Sequence, residues 1–147
     1  MQTAGETNVT GVDIYQYGLF KGENIELIRN PTSVTGQESR VKIRGFDKRT
    51  SQIPAALGKH FGIIYVVNGT PAGAIVAIRL TILTPPMKHP ESKEIFTSVD
   101  SMRSVKIGAH EFHGWLFEHK WEVVPGQYTF QLYYFDKKLG EKAFTVG

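Results

Sequence analysis

The sequence predicts an all-β fold of short antiparallel strands with little or no helix. Aromatic and branched side chains alternate with polar ones across residues 115–124 and again across 128–134, which is the period of a half-buried strand. Turn residues separate the apolar runs about every 8–12 residues. No stretch has apolar residues at helical spacing over several turns. Together these observations predict a sandwich or barrel of about 8–9 strands.

Length and composition indicate a single domain that needs no covalent cross-link. A chain of 147 residues is expected to bury roughly 68–70% of the surface that its unfolded form exposes. The sequence has no cysteine, which excludes disulfides, thiolate metal sites and cysteine nucleophiles. Residues 1–8 are small and polar, so we expect a flexible N-terminal arm, with the domain spanning residues 9–147.

The charge balance and the apolar runs restrict the partners. A net charge of +3 is too small for the dense positive surface of a nucleic-acid binder, so nucleic acid is not an expected partner. The longest apolar run, residues 72–83, is interrupted by Arg79 and falls short of the ~18 residues of a membrane span. Residues 1–7 lack the shape of a signal peptide. A cytoplasmic start and an exported domain with a new initiator Met both remain open.

The first strands are short and separated by turn chemistry. Residues 12–20 predict a strand in which Gly18 marks a bulge or a close backbone approach. A second strand is predicted at residues 25–28 and a third at 39–44. In the third strand one face is apolar, and the other carries a basic stripe of Arg40, Lys42 and Arg44.

The middle of the chain contains the most apolar strands. Residues 53–58 are too short for a stable helix and predict a single turn. Residues 60–67 are apolar on both faces, which is typical of a central, covered strand. The next strand, 74–84, places four aliphatic residues on one face. Three prolines within residues 85–90 must stop its pairing, and weaker strands are expected at 95–99 and 105–107.

The aromatic C-terminal segment predicts a corner that joins two sheets. Pro125, Gly126 and Gln127 form a turn before Tyr128, and immunoglobulin-like sandwiches place a Tyr at such a corner to hydrogen-bond a few residues upstream. Trp121, on the preceding predicted strand, is the expected buried partner of this Tyr. A turn at residues 136–138 leads to the last strand, which carries Phe144 and Val146. We therefore predict an immunoglobulin-like antiparallel β-sandwich.

Short motifs spread over nearly the whole chain carry a family resemblance: residues 17–20, 53–58 with 61–62, 84–87 with Pro90, 114–117, 121–126 and 142–146. They resemble a family of bacterial domains of unknown function. The resemblance implies an immunoglobulin-like sandwich in a bacterial protein that is often exported, hence a periplasmic or secreted location, with a cytoplasmic one still open. It implies no activity and transfers no functional residue. Tyr128 departs from the family, which often has Trp there.

Several histidines near the aromatic segment are candidate metal ligands. His110 and His113 are an odd number of residues apart, so on a strand they point to opposite faces. His113 and His119 share a face but are roughly 20 Å apart on an extended strand. A metal site would need a bulge and a further ligand such as His89. We therefore expect no metal site, with His113, His119 and His89 as the weak candidates.

Two surface patches are candidate ligand sites. The stripe of Arg40, Lys42 and Arg44 suits an anionic surface, although charged side chains also keep an edge strand from pairing with neighbours. An exposed aromatic patch would suit a sugar or peptide, although such rings more often form a second core layer or a dimer seam. Its candidate residues, including an apolar tip on the proline loop, are Tyr133, Phe135, Tyr15 and Met87.

No motif predicts catalysis. The sequence has neither a Gly-x-Ser-x-Gly elbow nor a glycine loop that cradles phosphate, and its carboxylates are scattered among lysines. We expect no enzyme activity and no cofactor. The sequence favours a non-catalytic binding or protein-interaction module with a protein or glycan partner. The alternatives are a carbohydrate- or metal-binding accessory domain and a structural module that forms a homodimer through an edge strand.

Overall fold

The computed structural model describes residues 7–20, 25–29, 37–41 and 46–147. Within these residues the chain forms eleven strands and one short 3-10 turn at Lys120–Glu122. The strands are β1 (Asn8–Phe20), β2 (Ile25–Arg29), β3 (Gln37–Val41), β4 (Phe46–Lys48), β5 (Gln52–Ile53), β6 (His60–Thr70), β7 (Ile75–Lys88), β8 (Ile95–Lys106), β9 (His110–Leu116), β10 (Gly126–Tyr134) and β11 (Lys137–Val146).

The all-β prediction is confirmed, although the strands differ in number and length from those expected. β4 and β5 have three and two residues, too few for a sequence period to reveal them. The two weak strands predicted at 95–99 and 105–107 form one continuous strand, β8. The first strand begins at Asn8, which pairs with Thr70, while residues 1–6 of the predicted arm lie outside the described residues.

The strands form two sheets that face each other. One sheet has the order β4-β1-β6-β9 and the other β5-β11-β10-β7-β8, while β2 and β3 form a separate hairpin. The pairs are antiparallel except for β5 with β11, which is parallel. Within the described part of the chain, no helix has the length and apolar character needed to cross a membrane.

The core lies between the two sheets and is built from the strands that the sequence marked as most apolar. β6 is central, between β1 and β9, and both of its faces are covered, as predicted. On β7 every second side chain faces the core and is at most 6% exposed: Val76, Ile78, Leu80 and Ile82. A smaller cluster of Phe20, Ile64 and Phe112 lies on the other face of the β6 sheet.

The proline segment interrupts pairing without ending the strand. β7 continues to Lys88, and its register with β8 shifts between Leu83 and Met87. Because the pairing resumes after this irregularity, Met87 packs in the core and is only 1% exposed. The prediction that Met87 forms an exposed tip for a ligand or partner is therefore wrong.

The second half of the predicted aromatic strand is a turn. β9 ends at Leu116, because the Glu122 carboxylate accepts hydrogen bonds from the backbone N–H groups of Glu118 and His119, the latter at 2.9 Å. These bonds close the chain on itself, so the N–H groups are not available to a strand ladder. Trp121 therefore does not continue β9, and the expected strand from 117 to 124 is wrong.

The predicted tyrosine corner is confirmed. The Tyr128 hydroxyl donates a hydrogen bond to the Val124 carbonyl oxygen at 2.7 Å. The ring that packs against Tyr128 from the β9 side is Trp115, with 5.9 Å between centroids, whereas Trp121 lies beside His89 and Phe96. The predicted role of Trp121 at the corner is thus taken by Trp115, which remains on the strand.

Gly18 is a point of close approach, as predicted. Its φ is +134°, and a Cβ at this position would overlap the Lys48 carbonyl oxygen on the neighbouring β4. Only glycine combines this backbone angle with this contact at low cost. Gly18 therefore sets the distance between β1 and β4.

We expect Gly18→Ala to lower the free energy of unfolding by at least about 2 kcal/mol, because it combines backbone strain with a steric clash. Gly11→Ala on the same strand is the control, since an added Cβ there meets nothing within 4 Å. Urea unfolding measures both. Equal stabilities for the two variants would contradict the close approach at Gly18.

We expect Tyr128→Phe to cost about 1–3 kcal/mol of unfolding free energy, because the Val124 carbonyl loses its donor. Tyr15→Phe is the matched control, because Tyr15 is 57% exposed. Guanidinium unfolding distinguishes the two variants. A loss of the same size in both would show that the corner hydrogen bond does not stabilise the fold.

Candidate functional site

The histidines considered as metal ligands are separated in the structure. His113 faces the core and packs on Phe130, with ring centroids 5.6 Å apart. His89 and His119 both contact Trp121, at 5.2 and 6.2 Å between centroids. Among residues 7–20, 25–29, 37–41 and 46–147, no three His, Cys, Asp or Glu side chains come together as a metal site.

The exposed aromatic residues do not form one patch. Tyr15 lies on β1, in the four-stranded sheet, with its ring edge on His110 at 4.7 Å. Tyr133 lies on β10 in the other sheet, where the Arg79 guanidinium covers its ring at 4.5 Å. Phe135 is 79% exposed and lies in the turn between β10 and β11, where it has a φ of 53°. Tyr15 is therefore on a different sheet from the other two rings.

The basic stripe falls mostly outside the described residues. Arg40 lies on β3, opposite Glu26 in the register with β2. Lys42 and Arg44 are not among the residues that the structure describes. The proposed anionic ligand for this stripe therefore stays a prediction.

A polar cluster between the sheets was not predicted from the sequence. Arg103 points inward from β8, where its register partner on β7 is the buried Ile78, and donates a hydrogen bond to the Phe112 carbonyl of β9. The positive charge of the guanidinium acts to lower the pKa values of the neighbouring Tyr65 and His113. The buried Glu111 also lies near Tyr65. The sequence signal was an arginine at a core-facing position of an alternating strand, between Ser101 and Val105.

Burial keeps two titratable groups of this cluster uncharged, the His113 imidazole and the Tyr65 phenol. Burial, aided by the positive charge of Arg103, lowers the pKa of His113 to about 4. Burial raises the pKa of Tyr65 above its ordinary range, against the opposing charge of Arg103. On the other face of β6, where the His60 ring packs against Phe112, burial alone lowers the pKa of His60 to about 4. A neutral imidazole or phenol in such a place avoids the cost of burying a charge.

Exposed apolar side chains surround a shallow groove on the five-stranded sheet. The groove has a volume of about 410 Å³ and is lined by residues of β7, by Met102 of β8, by Tyr134 and the β10–β11 turn, and by Thr7 before β1. Its most exposed apolar members are Ile75 at 63%, Met102 at 65% and Phe135 at 79%. Arg79 and Asp136 add one charge of each sign. We call this surface the β7–β8 groove.

The strand beside this groove is the long open edge of the sandwich. β8 is twelve residues long, ends its sheet and pairs only with β7 in the described register. The other end strands of the two sheets differ: β4 and β5 have three and two residues, and β9 has seven, contains Gly114 and lies against β3. β8 contains neither proline nor glycine. The outer side of β8 therefore offers a row of backbone donors and acceptors, which we call the β8 edge.

We expect the free energy of unfolding to fall as the pH drops from about 6.5 to about 4. The unfolded chain binds protons at these imidazoles near pH 6.5, whereas folded His60 and His113 resist protonation down to about pH 4. The two histidines therefore contribute their full share of the unfolding free energy above about pH 6.5, and this share is lost progressively as the pH falls toward 4. His113→Gln should reduce the slope by up to about 1.4 kcal/mol per pH unit, because glutamine binds no proton in either state. Urea titrations at stepped pH test this, and an unchanged slope in His113→Gln would contradict it.

The comparison with solved structures supports the fold. An immunoglobulin-like protein from Pseudomonas aeruginosa is similar over 97% of both chains, with a TM-score of 0.66 and 22% sequence identity. At this identity the similarity establishes the fold alone, and it confirms the predicted immunoglobulin-like sandwich. No curated protein matches the chain.

The family comparison covers nearly the entire sequence. The model of a family described as a domain of unknown function matches residues 8–146. The resemblance to bacterial domains of unknown function with an immunoglobulin-like sandwich is thereby confirmed. The chain belongs to this family, DUF3859.

Proposed function

We propose that this domain is a non-catalytic protein-interaction module that takes up an extended segment of a partner at the β8 edge. The observation that carries the proposal is the twelve-residue edge strand, which has no proline or glycine and which no other described strand pairs with on its outer side. Strand addition to such an edge gains affinity from main-chain hydrogen bonds. Most natural sheets shorten or block edges of this kind.

The side chains along the edge leave room for a partner strand. Five residues of β8 share the outer sheet face, and three of them are small or flexible and uncharged: Ser98, Met102 and Ser104. The other two are Asp100 and Lys106. The charged residue that does point inward, Arg103, is held by the Phe112 carbonyl between the sheets. Its guanidinium therefore does not project along the edge as a blocking charge.

The β7–β8 groove supplies a means of specificity beside the edge. Met102 belongs both to β8 and to the groove, so an added strand would lie alongside the exposed Ile75 and Met102 side chains. Exposed apolar surface next to a free edge favours a partner with alternating apolar side chains. Main-chain hydrogen bonds would hold the partner strand in place, and the side chains of the groove would select the partner's sequence.

A protein partner is favoured over a glycan by the positions of the rings. Sugar binding needs flat, accessible aromatic faces, but Arg79 covers Tyr133, and Tyr15 lies in the other sheet. The polar cluster of Arg103, His113 and Glu111 faces the core. We also propose a periplasmic or secreted location, supported by the resemblance to a family whose members are often exported.

The proposal is tested with a random library of twelve-residue peptides selected against the wild-type domain. Peptides that bind should lose at least about tenfold in affinity to Val99→Lys, because an inward-pointing lysine on an edge blocks strand addition. Leu83→Lys on β7 is the matched control, since Leu83 and Val99 are 39% and 38% exposed. Fluorescence anisotropy measures both affinities.

Hydrogen exchange locates the bound peptide. Slowed exchange at backbone amides of residues 95–106 supports strand addition, whereas protection confined to another surface overturns it. Equal losses of affinity in Val99→Lys and Leu83→Lys would place the peptide on the sheet face and also overturn the edge proposal.

A further inference from the structure

We infer that the partner strand at the β8 edge is the β8 strand of a second copy of this chain, paired antiparallel about a two-fold axis at Arg103. This inference rests on the proposed function, since it names the partner of the same edge.

The pleat limits the registers in which β8 can pair with itself. Paired residues of two antiparallel strands lie on the same face of the sheet, and the sheet faces continue only if both partners come from the same alternating set. On β8 the outer face carries Ser98, Asp100, Met102, Ser104 and Lys106, as their partners on β7 show. Each of these residues must therefore meet a residue of the same alternating set in the second copy.

With the two-fold axis at Arg103, residues of unlike charge lie directly across from each other. In this register Asp100 faces Lys106 of the second copy, and by symmetry Lys106 faces its Asp100. Asp100 is already oriented, because the Thr81 hydroxyl donates a hydrogen bond to one of its carboxylate oxygens at 2.5 Å. The other oxygen remains for an ammonium group. Cross-strand pairs of opposite charge stabilise a sheet, whereas like charges in these positions destabilise it.

The residues between the two charge pairs are complementary as well. Met102 is 65% exposed in the single chain and would lie opposite Ser104 of the second copy. A long methionine side chain also reaches its diagonal neighbour, so the two Met102 side chains meet across the axis. The self-paired edge thus has an apolar centre flanked by opposite charges, which is the arrangement of a self-complementary interface.

A neighbouring register is less favourable. An axis at Met102 would set Ser98 opposite Lys106 and Asp100 opposite Ser104, which removes both charge pairs. The register at Arg103 brings two copies of Arg103 near the axis, but each guanidinium is bound to the Phe112 carbonyl of its own chain. A single strand seam is a small interface, so we expect dissociation constants on the order of micromolar.

Charge reversal and rescue test the inference. Sedimentation equilibrium over a range of concentrations should show a monomer–dimer equilibrium, weakened at least about tenfold by Asp100→Lys and by Lys106→Asp. The double variant should restore dissociation to within about threefold of wild type. Asp13→Lys is the matched control, because Asp13 is also an exposed strand residue that accepts a side-chain hydrogen bond, from Asn68 at 3.1 Å.

Cysteine cross-linking tests the register, since the chain has no cysteine of its own. With the axis at Arg103, a mixture of Met102→Cys and Ser104→Cys should form the mixed disulfide in preference to either self-pair. An axis at Met102 would instead favour disulfides in Met102→Cys alone. Circular dichroism of each variant verifies that it folds.

The outcomes separate this inference from the proposed function. A monomer at every concentration overturns the second copy, and peptides that still protect residues 95–106 would leave the edge proposal standing. A dimer that survives Val99→Lys, or one whose charge reversals are not rescued by the double variant, also overturns the inference. Loss of both the dimer and the peptide binding at the edge overturns the two together.

Discussion

The packing of the two sheets depends on one aromatic residue, which belongs to one sheet and contacts several rings of the other. Phe61, on β6 of the four-stranded sheet, is completely buried, and its ring contacts four others. Three of these belong to the opposite sheet, with centroid distances between 5.3 and 5.9 Å: Tyr128, Phe130 and Phe144. The fourth, Phe117, follows β9. Edge-to-face packing of this kind fixes both the distance between the sheets and their relative position.

This packing fills the centre of the sandwich, and our proposal places the binding of a partner at the edge of a sheet. The rings fill the space between β6 and β10, so the side chains at the centre of the described sandwich are packed against each other and closed to solvent. The tyrosine corner ties the chain back to Val124 on the way into β10, so the sheet that carries β7 and β8 is held firmly. A rigid sheet presents its last strand in a fixed, extended form, which lowers the entropic cost of strand addition. The β8 edge is available to a partner because β8 is the last described strand of its sheet.

The polar cluster near that edge has a structural role. Arg103 crosses from β8 to the Phe112 carbonyl of β9, and so links the two sheets where the aromatic core ends. Beside it, His113 and Tyr65 stay neutral, because a charge without full solvation is costly in such a place. The same physics makes the fold sensitive to acid, since the unfolded chain accepts protons that folded His113 does not.

Local patterns in the sequence determined the fold class and many of its parts. Alternation is a property of neighbouring residues, so it identified the core face of β7 and the covered strand β6, and the turn before Tyr128 identified the corner. Gly18 was recognisable because an isolated glycine in a strand marks close approach. These features follow from backbone geometry over a few residues.

Only the tertiary structure decided which residues meet and which strand is left unpaired. Met87 is buried because β7 resumes pairing beyond its prolines, and Trp121 leaves the strand because Glu122 closes a turn. The histidines separate, and Arg103 becomes a link between sheets, through contacts that no short window of sequence contains. Sheet order is set by pairing between distant segments, so the open edge at β8 was not readable from its residues alone.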